Sequence, residues 1–391
     1  MRSVAQIGAP PLVASLRQRL GRSGRRGEAA ILRNYCIEDE LDARSPVSDL
    51  LREGLVQTIG LARLLIKRWY EPPNTKGLHL STFVQQLLSL IAQYGGITAK
   101  RAWGILCTGG PFAALNEAQF IELLRALGQR EIIMQAPDGV LLHGALGERL
   151  VNHYSFYAAF VSEKEYRVVT EGRTLGSVPV SRPLMEGSYI IFAGRRWSVI
   201  SVDDEHAVIS VSPAPAGRPP AFGGDLGFVH TRVREQMFEI YQDSGPRDPL
   251  DVTAYDLLAE ARRNFNRLEL DERRVIQMGA NVHLFPWQGD VANNTLALLL
   301  TRRGLHAENE GLSITVYRST ENAVQQQIKA VLDQAVPSGE ELAASIRNKI
   351  REKWDWLLPE RLLSLDFASS SLDVSAAQAG CVALLACPGS G

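Results

Sequence analysis

The chain has 391 residues, 45% of them apolar and 22% charged, and its 42 basic side chains against 43 acidic ones leave a formal net charge of −1. That composition excludes a disordered chain and a uniformly basic coat for nucleic acid, so any surface for a polyanion has to be local. Cys36, Cys107, Cys381 and Cys387 form no C-x-x-C pair and no zinc spacing, and no run of about 18 apolar residues or leading apolar core marks a membrane span or signal peptide, so a reducing, cytoplasmic setting is expected.

In chain order, "VAQIG" (Val4 to Gly8) reads as a short buried strand, and "APPLVASLRQRLG" as a proline loop leading into a helix. "EAAILRNYCI" follows as a second, nearly continuous apolar strand. Strand, helix and strand in this order predict the end of a parallel α/β sheet rather than a complete domain. "DLLREGLVQTIGLARLLIKRWY" is an amphipathic helix, and "EPPNTKG" a linker. From Leu80 to His153 three helical stretches are closed by "EIIMQAPDGVLLHG", two apolar runs around a Pro-Asp-Gly turn. Three helices and a hairpin predict a winged helix-turn-helix.

From Tyr157 to Pro213 every segment is strand-like with Gly and Asp turns between, which predicts a small β-barrel. After the linker "PAPAGRPPAFGG" the chain is mixed. "DVTAYDLLAEARRNFNRL" puts Leu257, Leu258, Ala261, Phe265 and Leu268 on one helix face, and "VHLFPW" and "LSITVYR" are strand-like. The expected fold class is therefore a multidomain α+β chain: the end of a RecA-like α/β lobe with its connecting helix (1–75), a winged helix (76–155), a small β-barrel (156–224) and a C-terminal α+β domain (225–391).

The first 27 residues carry six arginines and no acid. A solvated basic arm is the simplest account of such a run. The spacing in "QRLGRSGRR" suggests more. In a helix beginning near Gly21, Arg22 and Arg25 would lie one turn apart on one face. Gly21 and Gly24 would let a phosphate approach the backbone, and Gln18 would donate and accept on the same side. Two guanidiniums on a terminal phosphate would stabilise the charge that develops in phosphoryl transfer.

The string matches the Q-x-x-G-R-x-G-R pattern, motif VI, of the second RecA-like lobe of superfamily 2 helicases. With "LVQTIGLARLLIKRWYEPP", "LHLSTFVQQLLSLIAQ", "GERLVNHYSFYAAF", "LFPWQGD" and "NNTLALLL" it resembles bacterial Lhr-type (large helicase-related) DEAD/DEAH-box helicases over nearly its whole length. The resemblance implies that Gln18, Gly21, Arg22, Gly24 and Arg25 belong to an interlobe ATP site, with Arg22 and Arg25 facing the γ-phosphate. It also implies 3′-to-5′ movement along a single strand of DNA or of a DNA/RNA hybrid. The pattern is broken in one respect: no G-x-x-x-x-G-K-[ST] occurs in the chain. Asp39 to Asp42, "DELD", falls after motif VI instead of before it and reads as an acidic turn. ATP and magnesium are thus expected only with a separate first lobe, and the chain alone is expected to bind neither and to be inactive. A truncated gene, an internal start or one piece of a split enzyme would each account for this.

Further candidates for nucleic acid are Lys100, Arg101 and Trp103 at the start of the second winged-helix helix, and Arg195, Arg196 and Trp197 at a hairpin of the barrel, each pairing cations with an aromatic. Either tryptophan would serve equally as core. Gly289 and Asp290 precede a helix and read as a cap rather than an anion site. The histidines show no metalloenzyme spacing, and no metal is expected. The rival reading is a stand-alone winged-helix module that binds nucleic acid or protein without ATP; a decayed fragment is the third.

Overall fold

The computed structural model describes residues 3–24, 29–42, 45–157, 165–179, 189–192, 195–203, 206–214, 228–243 and 248–386, with the side chains of 154, 155, 179, 189, 191, 195 and 196 left out. The chain runs through β1 (Ser3–Ile7), α1 (Val13–Leu20), β2 (Ile31–Tyr35), α2 (Val47–Leu50), α3 (Glu53–Ile66), α4 (Leu80–Tyr94), β3 (Ile97–Thr98) and α5 (Ala99–Trp103). Next come α6 (Glu117–Gln129), β4 (Ile133–Gln135), β5 (Val140–His143), α7 (Ala145–Asn152), β6 (Glu165–Thr170), β7 (Arg173–Pro179), β8 (Tyr189–Phe192), β9 (Arg195–Asp203) and β10 (Val208–Pro213). Then follow α8 (Thr231–Gln242), α9 (Val252–Arg267), β11 (Val275–Met278), β12 (Asn281–Leu284), α10 (Asp290–Arg302), β13 (His306–Asn309) and β14 (Ile314–Tyr317). Helices α11 (Glu321–Asp333), α12 (Gly339–Ala344), α13 (Glu360–Ser371) and α14 (Val374–Ala386) close the chain. The fold is mixed α+β with several small sheets.

Two compact units result. One comprises Met1–Pro73, Asp225–Val336 and Leu372–Gly391, the other Asn74–Gly224 and Pro337–Ser371.

In the first unit β1 and β2 pair in parallel, Ser3 beside Ile31 and Ile7 beside Tyr35. Helix α1 joins them. Its N-cap, Leu12, has no side chain that can accept a bond, and the Glu71 carboxylate does so from afar, taking the amides of Val13 at 2.7 Å and Ala14 at 3.0 Å. The two strands alternate, so Leu32 and Cys36 face the core while Ile7, Ile31 and Tyr35 face out and are 70%, 43% and 53% exposed. The strands expected to be buried are therefore covered on one face only, because the pair has no neighbouring strand or second layer among the described residues.

The core of this unit joins α3, α8 and α9 through Val56, Ile59, Val233, Met237, Ile240 and Phe265. Tyr241 stacks on Phe265 with centroids 5.1 Å apart, and Leu258, Ala261 and Phe265 form the buried face of α9 that the sequence periodicity predicts. Arg234 is buried at the centre and pairs with Glu53 at 2.8 Å and Asp290 at 3.3 Å. An antiparallel sheet in the order β11-β12-β14-β13 completes it, with α10 packed on β13 and on α14.

In the second unit α4, α5 and α6 surround Phe83, Leu87, Ile91, Phe120, Leu123 and Leu127, next to a sheet in the order β3-β5-β4. Asn116 and Gln119 form a capping box that starts α6, and β4–β5 is the hairpin that the Pro-Asp-Gly turn predicts. A five-stranded sheet follows in the order β7-β6-β10-β9-β8, with β6 and β10 parallel. Its edge strands meet: a Cβ on Gly176 of β7 would stand 2.4 Å from the Phe192 ring of β8.

Residues 337–371, read in the sequence with the C-terminal domain, pack here instead. Trp354, Leu357, Leu358, Leu362 and Leu363 enter the same core as α4. Asp366 accepts the Leu80 amide at 3.0 Å, Ser369 the Leu78 amide at 3.0 Å, and Ser81 the Trp354 amide at 2.9 Å. This segment returns to a core laid down far earlier, its bonds to Leu80, Leu78 and Ser81 spanning 286, 291 and 273 residues, a pairing that no local pattern announces.

Candidate nucleic-acid interface

The motif residues of the first unit lie on a turn. Helix α1 ends at Leu20, and no helix begins near Gly21, contrary to the sequence expectation. The amides of Arg22 and Ser23 bond back to the carbonyls of Arg19 and Leu20, each at 3.0 Å. The buried Ser23 hydroxyl accepts the Ile31 amide at 3.1 Å, tying the turn to β2, and Gly24 adopts a left-handed φ of +70° that ends any helical path. Arg22 is exposed beyond the helix, and Gln18 is exposed one turn before it. Gly21 is not demanded by space, since a Cβ there would make ordinary contacts at 3.5 Å with the carbonyls of Arg17 and Gln18. Arg25 lies outside the described residues. Arg19 is held instead, its guanidinium donating to Gln6 at 2.7 Å.

In the second unit α5 starts from Thr98, whose hydroxyl accepts the Arg101 amide at 3.3 Å. Lys100 and Arg101 are both exposed. The Arg101 guanidinium lies 4.4 Å from the centroid of the Tyr94 ring, a cation–π stack, and Tyr94 is itself 43% exposed. Trp103 packs half-buried on the core with its ring centroid 5.3 Å from that of Phe120, and it is not the aromatic that Arg101 meets. Tyr94 does not stand out in the sequence as a neighbour of Arg101, because it sits at the far end of the preceding helix. The Gly95-Gly96 pair that folds the chain back on itself is the signal that could have found it.

Arg195 and Arg196 open β9 opposite Phe192 and Ile191 of β8, and their side chains lie outside the described part of the structure. Trp197 belongs to the core of that sheet. It is 8% exposed and its indole N–H donates to the Phe192 carbonyl at 3.2 Å, which leaves no ring face for a base.

Charge is unevenly placed around α5. From Leu80 to Asn116 the only charged side chains are Lys100 and Arg101. Helix α6 carries both signs: Glu117, Glu122 and the exposed Arg125 lie on it, and Arg361 of α13 donates to the Glu122 carboxylate at 3.1 Å.

The remaining candidates serve the scaffold. Asp290 accepts the Val229 amide at 2.8 Å and pairs with Arg234. In the "DELD" turn the Asp39 carbonyl accepts from Arg52 at 2.6 Å and the Asp42 amide donates to Ser45 at 2.8 Å. Buried His283 shares a 3.0 Å hydrogen bond with Thr315, and burial lowers its pKa. Among the described residues no group of three or more His, Cys, Asp or Glu side chains is placed to hold a metal ion, and no helix is long and apolar enough to cross a membrane.

No family model and no curated protein sequence matches the chain. It is similar to the solved structure of Mycobacterium smegmatis helicase Lhr bound to single-stranded DNA and AMP-PNP, at 17% identity, over 97% of this chain and 52% of that one, with a TM-score of 0.48. A second similarity is to the DUF1998 helicase MrfA bound to DNA, at 14% identity, over 85% of this chain and 46% of that one, with a TM-score of 0.22. Both neighbours are helicases. The chain spans about half the length of each.

Proposed function

We propose that this chain is the C-terminal region of an Lhr-type helicase, which holds a single strand of DNA or of a DNA/RNA hybrid and lends Arg22 and Arg25 to an ATP site completed by a separate first RecA-like lobe. The observation that carries the reading is the β1–β2 pair. Parallel sheets are found almost only with both faces covered, yet this one keeps Ile7, Ile31 and Tyr35 in solvent beside the turn that exposes Arg22. A further α/β segment packed on that face would bury the apolar side chains and put a ligand next to the arginines. In this reading 1–75 end the second lobe, 76–155 are a winged helix, 156–224 a small barrel, and 225–336 with 372–391 brace the lobe remnant.

The chemistry open to the chain's own residues is electrostatic. An exposed guanidinium at Arg22, with Arg25 close behind in sequence, stabilises charge on a γ-phosphoryl group, and Gln18 can orient an oxygen beside it. ATP and magnesium would be held by the first lobe, because the sequence has no loop and lysine to cradle phosphates.

The test is to supply the first lobe in trans and follow DNA-stimulated ATP hydrolysis. The chain alone should show none. Reconstitution should restore it, and Arg22→Ala or Arg25→Ala should then lower the rate by about 10³-fold. Hydrolysis by the chain alone, or full activity of both variants, sinks the assignment.

A further inference from the structure

We infer that the exposed side of α5 and of the π-helical turn that continues it, Gly104–Thr108, is a platform on which one nucleobase stacks, the Arg101 guanidinium plane being its surface and Tyr94 the residue that positions it. The inference rests on the single-strand reading above and adds to it a mode of contact and a residue.

Arg101 could meet nucleic acid in two ways, by its N–H edge on a phosphate or by its flat face on a base. The geometry favours the face. Tyr94 lies under the guanidinium, whose Cζ stands 4.4 Å from the ring centroid, and both side chains are exposed, so a cation held over a ring meets solvent here. The support is itself held. Gly96 follows at a φ of +143°, where a Cβ would stand 2.8 Å from both Leu142 and Val140, so the turn between Tyr94 and α5 is as tight as the chain allows. Among the described residues no carboxylate pairs with Arg101, and the nearest acids in sequence, Glu71 and Glu117, stand outside these elements.

The surface beyond Arg101 fits a base as well. Ala102, Leu106 and Cys107 turn inward, while Gly104, Ile105 and Thr108 turn outward with Arg101. A Cβ at Gly104 would meet nothing within 4 Å, so the backbone there is bare. Ile105 adds an aliphatic edge. A guanidinium, a bare stretch of backbone and one apolar side chain, with the Thr108 hydroxyl as the one neutral polar side-chain group, make a patch suited to sequence-tolerant stacking. The break from α to π geometry at this spot is a departure that helices show most often at functional sites.

The experiment uses the full chain and anisotropy of labelled oligothymidylate, the matching uridylate strand and an abasic strand of equal length, over a salt series. Wild type should bind both base-bearing strands. Arg101→Lys, which keeps the charge and loses the plane, should weaken them by about 5- to 100-fold with the salt slope unchanged and should leave the abasic strand unaffected. Tyr94→Leu should follow Arg101→Lys, and Tyr94→Phe should behave as wild type, since only the ring is required. Both positions are exposed, so melting temperatures close to wild type will show that each variant is folded. Wild-type affinity in Arg101→Lys, together with a slope flatter by about 0.7 in Arg101→Ala, would make Arg101 a phosphate contact and overturn the platform alone. Failure of the wild type to bind any strand at about 50 mM salt overturns the single-strand reading and the platform with it.

Discussion

Replacing Asp355 by Asn should change how the stability of the second unit depends on pH. Asp355 is buried, and its Oδ2 accepts the amides of Arg351 at 2.8 Å and Glu352 at 2.7 Å, while its Oδ1 finds no partner among the described residues. Burial first, and then the nearby Asp366 and Glu352, push the carboxyl up from its ordinary 3.8 to about 7 against the pull of those two amides. The folded chain thus binds this proton more tightly than the unfolded chain does. Stability from this group is complete below the unfolded value near 3.8, is lost as the pH rises, and is gone once the pH passes about 7. The rise corresponds to ~4 kcal/mol, an upper figure because Asp366, itself raised to about 6 chiefly by burial, shares the titration. Asn keeps an oxygen for the two amides and has no proton to lose. Urea unfolding of wild type and Asp355→Asn, followed by tryptophan fluorescence with Trp354 next to the site, should give similar stabilities at about pH 4 and a variant that gains on wild type by a few kcal/mol by about pH 8. A difference that stays flat within about 0.5 kcal/mol over that range would refute the reasoning.

Two further substitutions test the scaffold. Glu71→Ala removes the carboxylate that takes the Val13 and Ala14 amides and should cost α1 about 1–2 kcal/mol, seen as faster hydrogen exchange at those amides; unchanged protection would mean that the cap is idle. Trp197→Ala empties the core of the five-stranded sheet and should destabilise the second unit by about 3–5 kcal/mol; a stably folded variant with selectively weakened strand binding would instead return Trp197 to the interface.

The sequence showed what is local and missed what is brought together from afar. Strand, helix and strand at the N-terminus, the three helices with their hairpin, the run of strands and the apolar face of α9 follow from periodicity and turn residues, because each is decided within about ten residues. Arg22 was legible as exposed, but its setting was not. The three-residue spacing of Arg22 and Arg25 suggested one helix face, whereas the Ser23 hydroxyl, bonded to a strand that begins eight residues later, makes a turn. Trp103 and Trp197 were ambiguous by composition. Only packing against Phe120, or a bond to the Phe192 carbonyl, decides which side of a helix or strand a tryptophan faces. Tyr94 escaped because its partner, Arg101, is reached through two glycines and a turn, not along one helix face.

The distribution of charge over α5 and α6 bears on what kind of nucleic acid the second unit can hold. Three helices with a hairpin commonly read duplex DNA by laying the third helix in the major groove, where phosphates line both walls. Helix α6 would bring Glu117 and Glu122 into that groove, together with an Ile121 that stands exposed, and a carboxylate there could be received only by the amino group of a cytosine or an adenine. Arg361 already occupies Glu122. The exposed Arg125 lies on the same helix, so α6 carries both signs, whereas α5 carries only Lys100 and Arg101. The two cations of α5 neutralise at most two phosphates, a gain too small and too easily screened to hold a strand by charge alone. Whatever affinity this face has must then come mainly from contact with the bases, and bases offer their faces only where they are unpaired. In the single-strand reading proposed above, the acid-free α5 face, with its two cations and an arginine over a tyrosine, is suited to unpaired bases.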